Sequence, residues 1–270
     1  MTAYIYNEDY IETVERLYRA GERVDMVITS PPYNTNKKQG RTRTLLNTDG
    51  EGYPWVRYDT VQDAMSNREY CDFLASFMVD MDCIVEENGV VLVNLSYGNE
   101  NPDGIWQAVS SVIEGTEWTV ADCIVWRKRN AMPNNCSPNR ATRICEFVFV
   151  FVRKDELATF HANKAVKSVR KTGQKSFTTF TNYVEAANND GRCPYNKATF
   201  SSDLVSQLVS LYSRGGVVYD PFVGSGTTLA ACEAMGIDSI GSEISDKQCE
   251  WAADRVAGSI LVRGADRETA

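Results

Sequence analysis

Two short stretches combine residue types and spacings that can do chemistry. The first is Thr29-Ser30-Pro31-Pro32-Tyr33-Asn34, which follows an apolar run from Val24 to Ile28 broken only by Asp25. Successive prolines lack N–H donors and fix φ, so they end a strand and freeze the turn behind it. The turn carries a hydroxyl, fixed carbonyls and a large aromatic ring, a set suited to gripping an extruded nucleobase. The second stretch is Asp220-Pro221-Phe222-Val223-Gly224-Ser225-Gly226-Thr227-Thr228. Its glycines permit positive φ and close approach of backbone to a ligand. Glu243 stands at the end of the next apolar run. A carboxylate there can accept both ribose hydroxyls of an adenosine cofactor, or it can cap the helix that follows. Position 229 is Leu, so the GxGxxG fingerprint is incomplete, and no GxxxxGK[ST] phosphate loop occurs.

Hydrophobic periodicity places these stretches on strand ends. Ala3 to Tyr6 reads as a strand, then Asn7 or Asp9 caps a helix with Ile11, Val14, Leu17 and Tyr18 at helical spacing. Val24 to Thr29 is the strand that delivers Ser30. Residues 35 to 66 lack a clear period and read as a long loop. Ser66 or Asn67 opens a helix carrying Tyr70, Phe73, Leu74, Phe77, Met78, Met81 and Ile84 on one side. Val90 to Leu95 is a strand covered on both faces. Gly104 to Ile113 is a helix, and Thr119 to Trp126 and Ile144 to Val152 are strands. Residues 155 to 196 read as a recognition loop or small lobe. Ser201 to Ser213 is a helix and Val217 to Tyr219 a strand. A helix after the glycines runs to Met235, Asp238 to Ser242 is a strand, and a helix spans Asp246 to Ala257. The tail to Ala270 is expected to fray. Strands alternate with helices almost throughout, which predicts a largely parallel sheet in one α/β domain spanning residues 1–270.

Composition narrows the function classes. The 270 residues are 43% hydrophobic and 24% charged, as in a soluble globular protein. No run approaches the ~20 apolar residues of a membrane span, and the N-terminus has no secretory pattern. The expectation is a cytoplasmic protein without a membrane partner. Eight cysteines without a CxxC, and a single histidine, His161, argue against a metal site. The net charge of −8 is unevenly spread. Residues 127–175 hold twelve Lys/Arg and three Asp/Glu, +9, leaving −17 elsewhere. Lys37, Lys38, Arg41 and Arg43 form a second basic cluster. Such segregation in an acidic chain predicts a polyanion-binding face, with solvated surface as the plainer alternative.

Together, the hexapeptide at 29–34 and the nonapeptide at 220–228 resemble the catalytic and cofactor motifs of the amino-group DNA methyltransferases that use S-adenosylmethionine. The catalytic motif comes first, which is the order of that family's permuted β group. The resemblance extends over Arg23 to Asn34, Cys123 to Arg129, Cys145-Glu146 and Cys193 to Arg255. It implies a Rossmann-like, seven-stranded, mostly parallel methyltransferase sheet, circularly permuted, with one antiparallel strand and a small inserted target-recognition region. It also implies that Asp220, Pro221, Phe222, Gly224, Ser225, Gly226, Thr227, Thr228 and Glu243 hold the cofactor. Thr199, Phe200 and Ser201 would hold its methionine part, and Asp9 would lie near adenine unless it serves only as a helix cap. Double-stranded DNA, and a cognate restriction endonuclease, are the implied partners; monomer and homodimer both stay open.

The implied chemistry is consistent with the residues. An exocyclic base amine is a poor nucleophile because its lone pair is delocalised into the ring. Hydrogen bonds from its N–H groups to Ser30 Oγ and the Pro31 carbonyl, held rigid by Pro31 and Pro32, favour a pyramidal attacking nitrogen. Tyr33 can stack on the base. Cytosine C5 chemistry needs a thiolate, usually in a Pro-Cys pair, and the chain has only the reverse, Cys193-Pro194. Ser at the first motif position resembles the N4-cytosine enzymes, with N6-adenine as the alternative. The DNA-binding candidates are Lys37, Lys38, Arg41, Arg43, Arg127, Lys128, Arg129, Arg140 and Arg143, with residues 127–143 and 153–196 as recognition segments. Competing readings are an RNA or protein amide methyltransferase, a catalytically inactive DNA-binding relative, and a nicotinamide-dependent dehydrogenase.

Overall fold

The computed structural model describes residues 1–34, 65–98, 101–131, 138–139, 141–190, 193–196 and 199–263. The elements along the chain are β1 (Ala3–Tyr6), α1 (Tyr10–Ala20), β2 (Val24–Thr29), α2 (Asn67–Asp82), β3 (Val85–Leu95) and α3 (Gly104–Gly115). There follow β4 (Trp118–Lys128), β5 (Cys145–Arg153), β6 (Val166–Val169), β7 (Lys175–Phe177), β8 (Tyr183–Ala186) and α4 (Ser202–Tyr212). Last come β9 (Val218–Asp220), α5 (Thr227–Met235), β10 (Ser239–Ser242), α6 (Asp246–Arg255) and β11 (Ile260–Val262). Local chemistry sets several boundaries. The Asp9 carboxylate accepts from the Ile11 N–H and starts α1. Ser66 and Glu69 form a reciprocal capping box that starts α2.

One nine-stranded sheet runs in the order β11-β1-β10-β9-β2-β3-β5-β4-β8. Seven of these, β1-β10-β9-β2-β3-β5-β4, are the strands expected from sequence, and β5 is the strand antiparallel to both its neighbours. Two edge strands extend the set. β11 pairs parallel with β1, so residues 260–262 do not fray as expected. Ile260-Leu261-Val262 is a short aliphatic triplet that completes an otherwise open edge. At the other edge β8 pairs parallel with β4, so part of the expected recognition lobe belongs to the main sheet. β6 and β7 form a separate two-stranded ribbon.

Alternation along the central strands makes two cores. Val91, Val93 and Leu95 of β3 pack with α1, α2 and α3 on one face. Val90 and Leu92 pack with α4 and part of α5 on the other. A smaller cluster joins β1 to α5 and α6 through Ile5, Leu229, Cys249 and Ala252. Each fully buried aliphatic side chain here contributes roughly 1.5–3 kcal/mol. No helix among the described residues is long and apolar enough to cross a membrane. The C-terminal ends of β1, β2, β3, β9 and β10 all emerge at one edge of the sheet. β5, running the other way, begins at that edge. Open α/β sheets place ligands there.

Candidate active site

The cavity at that edge is lined from several elements at once. Its wall includes Ser30 and Pro32 after β2, Asp220 to Ser225 after β9, Glu243 after β10, and Asp9 after β1. The β9–α5 turn bends sharply, with Gly224 at φ 52° and Gly226 at φ 78°. A Cβ on Gly226 would lie 2.9 Å from the Ala252 methyl carbon, and one on Gly224 would lie 2.9 Å from Asn196 Nδ2. Both positions therefore need glycine for conformation and for space. Glu243 is fixed against this turn: Oε2 accepts the Gly224 N–H at 3.1 Å and Oε1 accepts the Ser245 N–H at 2.9 Å. The carboxylate thereby stands beside the glycine turn at the cavity wall.

Asp220 joins the glycine turn to the proline turn. It is 3% exposed. Its carboxylate accepts from Thr29 Oγ1 at 2.7 Å, Thr228 Oγ1 at 2.5 Å and the Phe222 N–H at 3.1 Å. Thr29 precedes Ser30 directly, so a single carboxylate sets the spacing of both stretches. Burial pushes this carboxyl up to about 6, against the downward pull of those hydrogen bonds. Phe222 anchors the same turn in the helical layer, with its ring 5.3 Å from Tyr10 and 6.0 Å from Phe77.

Beneath the proline turn lies a buried polar cluster. Ser30 Oγ and Tyr33 Oη are 2.6 Å apart. Tyr33 donates to Glu146 Oε2 at 3.1 Å. Asn94 donates to the same oxygen at 2.9 Å and also to Tyr33 Oη. Lys128 closes the group by pairing with Glu146 Oε1, its ammonium 4.7 Å from the centre of the Trp126 ring. Pro31 is buried, and Ser30 and Pro32 face the cavity while Tyr33 sits behind them, 6% exposed. Asn34, at φ 50°, ends the turn. Its amide donates to the Met65 carbonyl at 2.9 Å and accepts from the Met65 N–H at 2.8 Å.

The structure brings together most residues singled out from sequence. Pro221, Phe222, Gly224, Ser225, Thr227, Thr228, Thr199 and Phe200 all line the cavity. Asp9 lines it and caps α1. Gly226 supports the turn as the residue before α5. Ser201 does not reach the wall; it is 1% exposed, and its hydroxyl has no hydrogen-bond partner among the described residues.

The expected basic face is less uniform than the sequence suggested. Arg127 pairs with Glu185, and Arg129 with Asp203 at 2.6 Å. Lys128 points inward to Glu146 because strand alternation puts it on the face of buried Trp126. Arg143 donates to the Tyr97 carbonyl and lies 5.0 Å over the Tyr97 ring. Lys37, Lys38, Arg41, Arg43 and Arg140 fall outside the described residues.

Sequence reasoning passed over Glu146, Asn94, Glu8 and Gln248. Glu146 and Asn94 are lone polar residues in apolar strands, a pattern that calls for a buried partner. Glu8 lines the cavity, is 6% exposed, and accepts from Thr13 and Arg16. Gln248 on α6 lines the cavity and is 3% exposed, and its Oε1 has no hydrogen-bond partner among the described residues.

Known proteins resemble this chain in sequence and fold. The chain is 24% identical over 261 residues to the Type II methyltransferase M.HinfI of Haemophilus influenzae, covering 93% of this chain and 67% of that protein. Other such matches cover as little as 50% of the relative's length. Among solved structures, the PvuII DNA methyltransferase (cytosine-N4-specific) superposes with a TM-score of 0.66 at 16% identity, covering 93% of this chain and 86% of that one. The M1.HpyAVI–SAM complex superposes with a TM-score of 0.58 at 21% identity, covering 95% and 100%. At these identities the superpositions establish the fold. The N6/N4 DNA methylase family matches residues 24–254, most of the chain, and with the proline and glycine turns facing one cavity the chain belongs to that DNA methylase family.

Proposed function

We propose that this protein transfers a methyl group from S-adenosylmethionine to the exocyclic amino group of a base flipped out of double-stranded DNA, cytosine N4 before adenine N6. The observation that carries this reading is the shared cavity. The Ser30 hydroxyl and the glycine turn face the same space and are tied by Asp220. The residues present fit the cofactor. The Gly224–Gly226 bend needs glycine for its positive φ and for its close packing on Asn196 and Ala252, Glu243 is fixed against that bend at the cavity wall, and Gln248 carries a buried amide oxygen with no partner among the described residues. When bound, the cofactor supplies an electrophilic methyl on a sulfonium sulfur.

The chain's own residues do the rest. Glu243 and Asp9 would hold the nucleoside end, and Thr199 and Phe200, which line the same cavity, would hold the methionine end. Ser30 Oγ and the Pro31 carbonyl accept the N–H groups of the amine, which localises the nitrogen lone pair toward the methyl. The neutral hydroxyl of Ser30, where a carboxylate or amide would mark the adenine alternative, supports cytosine. DNA is held by residues 127–143 and 153–196. The β6–β7 ribbon carries Lys167, Arg170, Lys171 and Lys175, and no acidic residue occurs from 157 to 184.

The test is incubation with S-adenosylmethionine labelled in the methyl group and unmethylated double-stranded DNA, then digestion to nucleosides. Label in N4-methyldeoxycytidine is the expected result. Label in N6-methyldeoxyadenosine moves the target to adenine, and no labelled nucleoside overturns the reading.

A further inference from the structure

The cluster behind Ser30 has a polarity that can be read from its donors. A carboxylate only accepts, so Tyr33 must give its one hydroxyl proton to Glu146 Oε2, 3.1 Å away. Tyr33 Oη then accepts from Asn94 and, at 2.6 Å, from Ser30. Ser30 is thereby the donor in that bond, and its remaining lone pairs face the cavity. The same chain of bonds answers a question left by the chemistry. A methylated exocyclic amine carries one proton too many, and a serine hydroxyl alone is too weak a base to keep it.

We propose that Glu146 receives that proton through Ser30 and Tyr33, and so acts as the positioning and proton-accepting residue of the reaction. The inference rests on the methyltransferase reading above. In the step, the amine nitrogen forms the new N–C bond as the methyl–sulfur bond breaks, and the bonding pair stays on sulfur. The nitrogen's proton passes to Ser30 Oγ, the Ser30 proton to Tyr33 Oη, and the Tyr33 proton to Glu146 Oε2. A sulfonium, a neutral amine and a carboxylate become a neutral thioether, a neutral methylated amine and a carboxylic acid. Lys128 on β4 and Tyr33 after β2 are the titratable groups bonded to Glu146, and Asn94 on β3 holds the shared oxygen in register.

The experiment compares wild type, Glu146→Gln and Tyr33→Phe in single-turnover methyl transfer at saturating cofactor and DNA, across pH. Cofactor and DNA affinities are measured alongside by calorimetry. Glu146→Gln keeps an acceptor for Tyr33 but cannot take a proton, and Tyr33→Phe interrupts the chain in its middle. Each is expected to lose roughly 100-fold in rate, the scale of general acid–base assistance, with both affinities held within about threefold. The acid-side limb of the wild-type pH–rate profile should be absent from Glu146→Gln. A merely structural role would lower the affinities and leave the shape of the pH profile unchanged, which would overturn the relay. Wild-type transfer with Glu146→Gln within about threefold of it would overturn the relay alone. No transfer by wild type to any DNA would overturn the underlying reading together with the relay.

Discussion

The glycine turn and the proline turn meet in one cavity but solve opposite problems. Around Gly224 and Gly226 the backbone adopts φ values that side chains resist, and function there depends on side chains being absent. Around Pro31 and Pro32 the backbone is frozen, and function depends on side chains gathered from β3, β4 and β5 beneath it. One site is written in consecutive residues. The other is assembled from Ser30, Tyr33, Asn94, Lys128 and Glu146, which are spread over more than a hundred positions. On the proposed function, the contiguous motif would locate the ligand and the discontinuous cluster would decide what chemistry happens to it.

The sharpest way to break this division is a crossed pair of variants. Ser30→Ala should lower single-turnover methyl transfer roughly 1000-fold, the upper range for removing one hydrogen-bonding group from a reacting centre. Cofactor affinity, read by calorimetry, should be unchanged. Glu243→Gln should do the reverse, weakening cofactor affinity about 10–100-fold with little effect on transfer at saturation. If both variants lose cofactor binding, the two turns are not functionally separate. A smaller effect is expected from Gly226→Ala. Positive φ costs a residue with a side chain about 1–2 kcal/mol, and the new methyl meets Ala252. Chemical denaturation should show a loss of about that size or more, and an unchanged midpoint would mean the turn relaxes freely.

The smallest effect concerns the bracket between the turns. The Asp220 carboxyl is raised by burial to about 6 in the folded chain, above its ordinary range when unfolded. Between those values the folded chain binds the proton more tightly, so this contribution to stability is present at low pH and is lost as pH rises toward and through about 6. Asp220→Asn cannot ionise. Stability measured from about pH 4 to about pH 7 should therefore lose that downward component, and parallel wild-type and variant curves would refute the assignment.

The sequence was most legible where structure depends on a few neighbouring residues. Gly224, Gly226, Asp9 and the Ser66 cap each sit where their local chemistry pointed. Alternation of strands and helices yielded the parallel centre of the sheet, and the two edges were harder. β8 and β11 are short and half exposed, so their formation depends on a neighbour's free edge more than on their own pattern. Lys128 was read by its charge, although its place two residues after Trp126 on a strand carried the better signal. Glu146 and Asn94 were visible only as polar interruptions of apolar runs, which show that a partner exists but cannot name it.

Asn34 has a consequence of another kind. By gripping both backbone groups of Met65, it ties together the two roots of the 35–64 stretch with one side chain. With those roots fastened, the turn that bears Ser30 keeps its place against the start of α2. Asn34 thus works as a clasp: one side chain couples the end of the turn that bears Ser30 to the chain that enters α2.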